Sequence, residues 1–390
     1  MFILIISRGI PSKRFPQWGC FEKDQAEALA SIGHKVVVVS VDGRFRFIYR
    51  KRGLTHVVGN NGVEFYNYFL MPAIYTSFLG REKNRQLEEW QLRKCFNQVL
   101  LEHGKPDVIV GHFSSRTAIG VKIAEQYQLP LVGIEHDAAF NYKQLPQKVL
   151  WNAGYAYAHT QQIIAVSSNL KERILYYLGK ESVVVPNTVG KEFMSAPCAS
   201  APMEKVQFIG VGNLIPRKGY DLLIRAFAEL QLPAEKWMLT LVGDGEAQES
   251  LQQQINNAHL QRNIVLAGKK DKREIVQMLS DSNYFMMPSR NENFSVAILE
   301  ALACGLPVIS SDCGGAKDCI NAENGLLFPV DDVESLKECI KKVMDKSVVF
   351  NNQAIAQNCR ENYAPEVIAH KLSNVFEQTI NDYRNAKENR

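Results

Sequence analysis

Two glutamates bracket the stretch ENFSVAILE, residues 292 to 300, the first in a polar context and the second in an apolar one. The preceding run NYFMMPSRN is apolar and ends in Pro-Ser. The following run ALACGLPVISSD stops a helical pattern at Gly305 and begins a strand-like one. The local order is strand, loop, short helix, glycine stop, strand, which puts Glu292 in the loop and Glu300 in the helix. On a single helix the two carboxylates would stand roughly 12 Å apart and be rotated by roughly 80°. Acids that flank one bond need about 5–10 Å. The spacing therefore suits two hydroxyl-rich ends of one long ligand, and for Glu300 alone a satisfied polar residue on a helix edge is the simpler reading.

Upstream, GVGNLIPRKGYDLLIRAF follows an apolar run and leads into a helix with Leu222, Leu223, Ala226 and Phe227 on one face. Gly210 and Gly212 let a ligand approach the backbone, and Arg217 and Lys218 bring positive charge to the start of the helix, an arrangement that suits phosphate. It is no dinucleotide fingerprint, because Ile215 stands where the third glycine belongs, and no P-loop, because no G-K-[ST] follows. An exposed basic turn is the alternative. The amides near Phe294, Ser295 and Val296 open a helix and can receive the same anion, with Asn293 or Ser295 as a competing cap.

In the first half two histidines follow strands, His112 in VIVGHFSSRTAIG and His136 in LVGIEHDAAF. A histidine at a strand end can bind a phosphate oxygen or a sugar hydroxyl, and its ordinary pKa suits proton exchange. Asp137 is a candidate to orient the histidines or to contact an acceptor. After the first strand, SRGIPSKRFPQWGCF places Trp18 and Gly19 ahead of a helix starting near Glu22, with Trp18 readable as a packing residue.

The elements that position these loops are legible as periodicity. FILIIS, KVVVVSV, DVIVGHF, LVGIEHD, IIAVSS and VVVVP in the first half are unalternating apolar runs separated by amphipathic helices such as QLEEWQLRKCFNQVLLEHG. They indicate a parallel sheet covered on both faces. Residues 190–205 are small and irregular and read as a linker. The alternation then restarts with VQFIGVGNL, MLTLVGD, NIVLAGK, YFMMPS, PVISSD and GLLFP. The expected fold is α/β with two Rossmann-like, doubly wound domains: 1–189, joined by a C-terminal helix over about 366–390 that crosses between them, and 190–365. Sites in such sheets form beyond the carboxyl ends of the strands, so a cleft between the domains is where a site is expected.

At 390 residues, two domains are the starting expectation. A net charge of +4 is too small to argue for nucleic acid. The eight cysteines show no C-x-x-C and no paired zinc spacing, which reads as reduced thiols in a cytosolic protein. No run reaches the roughly 20 apolar residues of a membrane span. The basic, aromatic stretch RFRFIYRKR, 44–52, could meet anionic lipid headgroups or serve as a solvated hairpin.

PSRNENFSVAILEALACGLPVISSDCGG, with VGNLIPRKG upstream and ENGLLFP downstream, resembles the donor half of retaining glycosyltransferases of family 4, and the likeness extends over nearly the whole chain. That resemblance implies the GT-B fold, with the N-terminal domain on the acceptor side and the C-terminal domain binding a nucleotide sugar. It implies that Lys218 holds the donor diphosphate, Glu292 contacts the transferred sugar and Glu300 the nucleotide ribose, while the amides of Asn293, Phe294, Ser295 and Val296 contact phosphate and sugar. Gly212 and Asn213 lie in the donor loop, where many relatives carry arginine in place of Asn213. Arg217 is the candidate substitute, although neighbouring residues on a helix do not face the same way. Relatives carry a site histidine in the loops of His112 and His136, and their glycine loop, here at Gly19, faces the donor phosphate and the acceptor, where Trp18 would also lie. The implied reaction proceeds with retention, from a UDP- or GDP-sugar to a glycan or lipid-diphosphate acceptor in cell-surface polysaccharide synthesis. It needs no cofactor and, lacking a D-x-D after a strand, no obligatory metal. The expected location is cytoplasmic or peripheral on the inner face of the cell membrane. The alternatives are an epimerase or phosphorylase on the same fold, a two-domain sugar-binding protein, and a nicotinamide-dependent dehydrogenase, the last disfavoured by the missing fingerprint.

Overall fold

The computed structural model describes residues 1–11, 18–43, 52–71, 77–198 and 204–389. The chain divides into two compact units, Met1–Pro186 with Pro365–Arg390, and Asn187–Ala364. The basic stretch 44–52 lies outside the described residues except for Arg52. No helix among the described residues is long and apolar enough to cross a membrane.

In the first unit the strands are β1 (Phe2–Ser7), β2 (Lys35–Val41), β3 (Gly53–Val58), β4 (Glu64–Phe69), β5 (Val108–His112), β6 (Leu131–Glu135), β7 (Gln162–Ala165) and β8 (Val183–Val184). They lie in the order β3-β4-β2-β1-β5-β6-β7-β8. All pairings are parallel except β3 with β4. The central strands are apolar on both faces because helices cover both: Ile3 to Ile6 and Val36 to Val39 are all buried. The order reverses between β1 and β5, so the loops after those two strands diverge and leave a crevice at their carboxyl ends.

The hairpin β3–β4 is an addition to the strands read from periodicity. Its edge strand GLTHVV carries no continuous apolar run, being interrupted by Thr55 and His56, and it leaves Val57 and Val58 exposed. The turn does carry a signal, Asn61-Gly62, both with positive φ (53° and 72°), the backbone that Asn-Gly favours in tight hairpins.

The terminal helix Pro365–Glu388 buries Ile368, Leu372, Phe376 and Ile380 at helical spacing against the helix Cys20–Ser31. A hydrogen bond from the His34 ring to Ser373 Oγ (2.8 Å) and an ion pair of Arg384 with Asp107 (3.5 Å) fasten it within the first unit.

The second unit contains β9 (Val206–Val211), β10 (Trp237–Val242), β11 (Ile264–Gly268), β12 (Tyr284–Met287), β13 (Val308–Ser311) and β14 (Gly325–Phe328), all parallel, in the order β11-β10-β9-β12-β13-β14. This is the strand order of the dinucleotide-binding folds, with its switch point between β9 and β12. The helix Tyr220–Leu230 turns Leu222, Leu223, Ala226 and Phe227 into the core, where Phe227 stacks on Trp237 at 4.4 Å between ring centroids. Such pairs add about 0.5–1.5 kcal/mol beyond area burial. The stretch read as a linker opens with the short helix Lys191–Met194, whose Phe193 is fully buried in this unit.

Candidate active site

The two loops singled out by composition leave adjacent strands at the switch point of the second sheet, the basic loop after β9 and the glutamate loop after β12. Pro216–Lys218 forms a single 3₁₀ turn ended by Gly219 (φ 69°), which also precedes the helix Tyr220–Leu230. A Cβ on Gly219 would sit 1.9 Å from the carbonyl oxygen of Pro288, so only glycine lets the loops approach this closely. Backbone pairing of Arg290 N–H with Arg217 O (2.8 Å) closes the join.

Across this join the charges meet. Lys218 Nζ is 2.7 Å from Glu292 Oε1, and Arg217 Nη1 is 3.1 Å from the same oxygen. The expectation that Arg217 and Lys218 diverge is thus corrected. They lie in a 3₁₀ turn and reach Glu292 from different backbone positions, with Arg217 also donating to the Asn291 carbonyl (2.5 Å). Lys218 is nearly buried, and its stem passes Gly212, where a Cβ would come within 3.3 Å of Lys218 Cε and 3.1 Å of the Tyr220 hydroxyl. Asn213 is exposed beside them.

Glu292 precedes the helix, which spans Val296–Ala303, so the two acids do not share one helix as the 12 Å construction required. Glu300 lies half-buried in that helix. Ser295 occupies the N-cap position without a side-chain cap bond, so its hydroxyl does not compete for the first-turn amides. Phe294 precedes the helix and its ring is buried near Tyr363 (6.2 Å). Asn293 is buried, and its carbonyl accepts from Gly315 N–H at 2.7 Å. The loop Asp312–Gly315 braces this backbone: a Cβ on Gly314 (φ 57°) would sit 1.6 Å from the Glu292 carbonyl oxygen.

In the first unit the equivalent switch point gathers the loops after β1, β5 and β6. His112 ends β5 and His136 follows the neighbouring β6, and their rings stack with Nδ1 of His112 3.0 Å from Nε2 of His136. The outward nitrogens, His112 Nε2 and His136 Nδ1, are buried and have no hydrogen-bond partner among the described residues. Burial, reinforced by the charge of Arg8 and opposed by Glu22, pushes His112 down to about 4, and burial and His112 hold His136 well below the usual range. Proton exchange near neutrality is therefore not what these imidazoles offer. Held neutral, each can donate at one nitrogen and accept at the other.

The group around the pair was not visible in the sequence. Glu22, fully buried in the first turn of its helix, pairs with Arg8 Nε at 2.8 Å. Burial would raise its pKa, but the charge and hydrogen bonds of Arg8 prevail and lower it to about 2. The Arg8 guanidinium lies 3.9 Å above the Phe113 ring. Phe113 has φ 61°, a conformation costing a bulky residue about 1–3 kcal/mol, retained here directly after His112. Trp18 donates from its indole to the Arg8 carbonyl (3.0 Å) and packs on Gly9, while Gly19 (φ 77°) approaches so closely that a Cβ would lie 2.1 Å from the Gly9 carbonyl oxygen. Asp137 Oδ1 caps the 3₁₀ turn Ala138–Asn141 by accepting from Ala139 N–H (3.0 Å). Among the described residues no hydrogen bond joins it to either histidine. Glu135, fully buried, accepts from the backbone amides of Ser114 (3.2 Å), His136 (2.8 Å) and Asp137 (2.9 Å) and from the Tyr157 hydroxyl (2.9 Å). It ties the loop after His112 to the loop carrying His136.

Residues 23–193 match the model of Glycosyltransferase Family 4, and residues 199–364 match that of Glycosyl transferases group 1. The chain is a family 4 glycosyltransferase. It is 26% identical to a glycosyltransferase of Methanocaldococcus jannaschii, MJ1178, over 67% of this chain and 71% of that one. It is also 26% identical to the GDP-mannose-dependent monoacylated alpha-(1-6)-phosphatidylinositol monomannoside mannosyltransferase of Corynebacterium glutamicum, over 42% of this chain and 45% of that one. Among solved structures, Anabaena HepE in complex with UDP and glucose superposes with a TM-score of 0.72 at 18% identity, covering 97% of this chain and all of that one. The fold shared is GT-B, and the α/β, doubly wound reading holds in each unit of the glycosyltransferase.

One further residue of the glycosyltransferase went unassigned in the sequence. Arg290, in the glutamate loop, holds Asp221 with two bonds (2.8 and 2.7 Å), Asp331 with a third (2.6 Å) and the Pro216 carbonyl with a fourth (2.6 Å). Its hydrogen bonds to Asp221 raise its already high pKa, so it is a fixed cation that rivets the glutamate loop to the basic turn.

Proposed function

We propose that this glycosyltransferase takes a sugar from a UDP- or GDP-sugar and transfers it, with retention, to a glycan or lipid-diphosphate-linked acceptor in cell-surface polysaccharide synthesis. The observation that carries the reading is the convergence of Lys218 and Arg217 on Glu292 at the switch point of the second sheet. Two cations held by one carboxylate are a site with an exchangeable anion. A diphosphate, with more charge and more acceptor oxygens, competes with Glu292 for them, and the displaced carboxylate becomes free to accept hydrogen bonds from the sugar. Breaking the sugar–phosphate bond builds negative charge on the leaving diphosphate, which Lys218, Arg217 and the first-turn amides of the helix at Val296 stabilise. Each preorganised group of this kind is worth about 10²–10³ in rate.

Glu300 is assigned to the nucleotide ribose, Gly212, Asn213 and Asn293 to Val296 to the donor, and His112 and His136 to sugar hydroxyls as neutral hydrogen-bonding groups. Gly19 is assigned to the donor as well, and Trp18 and Asp137 to the acceptor side. The protein's own cations do the work that a metal does in other transferases. UDP bound to Anabaena HepE and the GDP-mannose dependence of the Corynebacterium relative support a nucleotide sugar without deciding the base.

The test is a melting-temperature screen with UDP-, GDP- and ADP-sugars, since a ligand that binds only the folded state stabilises it by mass action. One class should stabilise the wild type and lose this effect in Lys218→Ala. The anomeric configuration of the product formed with that donor then reports retention. Stabilisation by none of them, or an inverted product, overturns the corresponding part of the reading.

A further inference from the structure

At the amino end of β4 in the first unit, away from the loops described above, four ligand-type atoms face one another. Glu64 opens β4, Tyr66 follows on the same face, and Glu102 and His103 end the helix Gly80–His103. The Tyr66 hydroxyl lies 3.1 Å from Glu64 Oε2 and 2.9 Å from His103 Nε2, and it donates to Glu102 Oε2. His103 Nε2 is 3.4 Å from Glu64 Oε2 and 3.8 Å from Glu102 Oε2. His56, from the paired edge strand β3, approaches Glu64 Oε2 at 2.7 Å and stacks on the Tyr66 ring at 4.4 Å.

The phenol has one proton, yet two carboxylate oxygens and an imidazole nitrogen converge on it. A tetrahedral cation with bonds of about 2.0–2.1 Å holds its ligands roughly 3.3 Å apart, and the separations of Glu64 Oε2 from His103 Nε2 (3.4 Å) and from the Tyr66 hydroxyl (3.1 Å) match it. The carboxylates supply negative charge for a divalent ion, and the mixture of imidazole and oxygen donors suits zinc. The Tyr66 ring is buried and the His103 side chain nearly so, which fixes two of the four donors in place. His56 holds the first carboxylate from outside, as the partners of metal ligands do.

We propose that Glu64, Tyr66, Glu102 and His103 form a zinc site that clamps the β3–β4 hairpin to the end of the helix Gly80–His103. On binding, the Tyr66 proton passes to solvent and its oxygen joins the two carboxylates and His103 Nε2. The site is independent of the sugar-transfer loops.

The experiment uses the full chain without a histidine tag, stripped with a chelator. Titration calorimetry with Zn²⁺ should show one ion per chain, Zn²⁺ should raise the melting temperature, and Co²⁺ should give the visible absorption of a tetrahedral complex. Glu102→Gln and His103→Gln should each weaken binding by about tenfold or more, while His136→Gln, which alters the other histidine pair, should leave it unchanged. Failure of the wild type to bind Zn²⁺ overturns the proposal. So does binding that survives in both ligand variants or is lost in His136→Gln. The Co²⁺ spectrum of the wild type decides the geometry even where a variant folds poorly.

Discussion

Lys218 Nζ and Arg217 Nη1 share one oxygen of Glu292, at 2.7 and 3.1 Å, so the acid assigned to the sugar is, before any donor arrives, the counter-ion of the cations assigned to the diphosphate. The three are one unit, and removing its members should have unequal effects. Glu292→Gln keeps the side-chain shape but releases both cations. Calorimetry should therefore show a nucleoside diphosphate bound as tightly as by the wild type or more tightly, while turnover falls by about 10²-fold or more. Lys218→Ala should weaken both. A Glu292→Gln enzyme that binds the diphosphate more weakly but turns over normally would reverse the assignment.

Gly314 tests whether the position of the Glu292 backbone matters. Its φ is 57°, and a Cβ there would meet the Glu292 carbonyl oxygen at 1.6 Å, a backbone atom that cannot swing aside. Gly33 has φ 94° but open space around it. Gly33→Ala should then cost only the left-handed backbone penalty of about 1–2 kcal/mol. Gly314→Ala should cost more in urea denaturation and also lose donor turnover. Equal stability losses with unchanged activity would show that the brace on Glu292 is not needed.

Much of this was legible because the relevant signals are local. Glycine, proline and the change from apolar run to helical period place the loops after β9 and β12 without any knowledge of the sheet. The order β10-β9-β12 that makes those loops neighbours is a tertiary fact that no periodicity carries. Side-chain direction was also hidden: Arg217 and Lys218 were judged by helix geometry, whereas a 3₁₀ turn presents them. Glu22 resembles an ordinary first-turn acid until folding buries it against Arg8, and Glu135 resembles the end of a strand until four donors surround its carboxylate. The β3–β4 hairpin does not show in the apolar pattern because Thr55 and His56 interrupt it, although Asn61-Gly62 marks its turn.

Arg290 joins the basic turn to the glutamate loop through Asp221, Asp331 and the Pro216 carbonyl. Lysine preserves the charge but not the planar fork, so Arg290→Lys cannot keep all these partners. Because the carboxylates are about half exposed, solvent screening limits the stability loss to about 1 kcal/mol. The effect on function should be larger in proportion, seen as a raised KM for donor, because Pro216 to Lys218 would no longer be fixed against Glu292. Unchanged donor kinetics in Arg290→Lys would leave the arginine a surface ion pair only.

The buried histidines and Glu22 should make the protein acid-labile in two successive windows. Burial first, then the charge of Arg8, depresses His112 from 6.5 to about 4, and His136 is depressed as well. Between those pH values the unfolded chain has bound the proton and the folded chain has not. The unfolded state therefore takes up more protons, and stability is lost as pH falls from about 6.5 to about 4. For His112 the loss is on the order of 3 kcal/mol. Glu22 extends the trend: its pKa is about 2 when folded against 4.5 normally, so its contribution is present above about 4.5 and disappears as pH falls towards 2. Urea midpoints measured from neutrality downward should start to fall well above the carboxylate range. The double variant His112→Asn with His136→Asn, whatever its absolute stability, should lose most of this slope, leaving the smaller share of His34, which burial also depresses. A wild-type midpoint that stays level through the histidine window would mean that the pair is not held neutral in the fold.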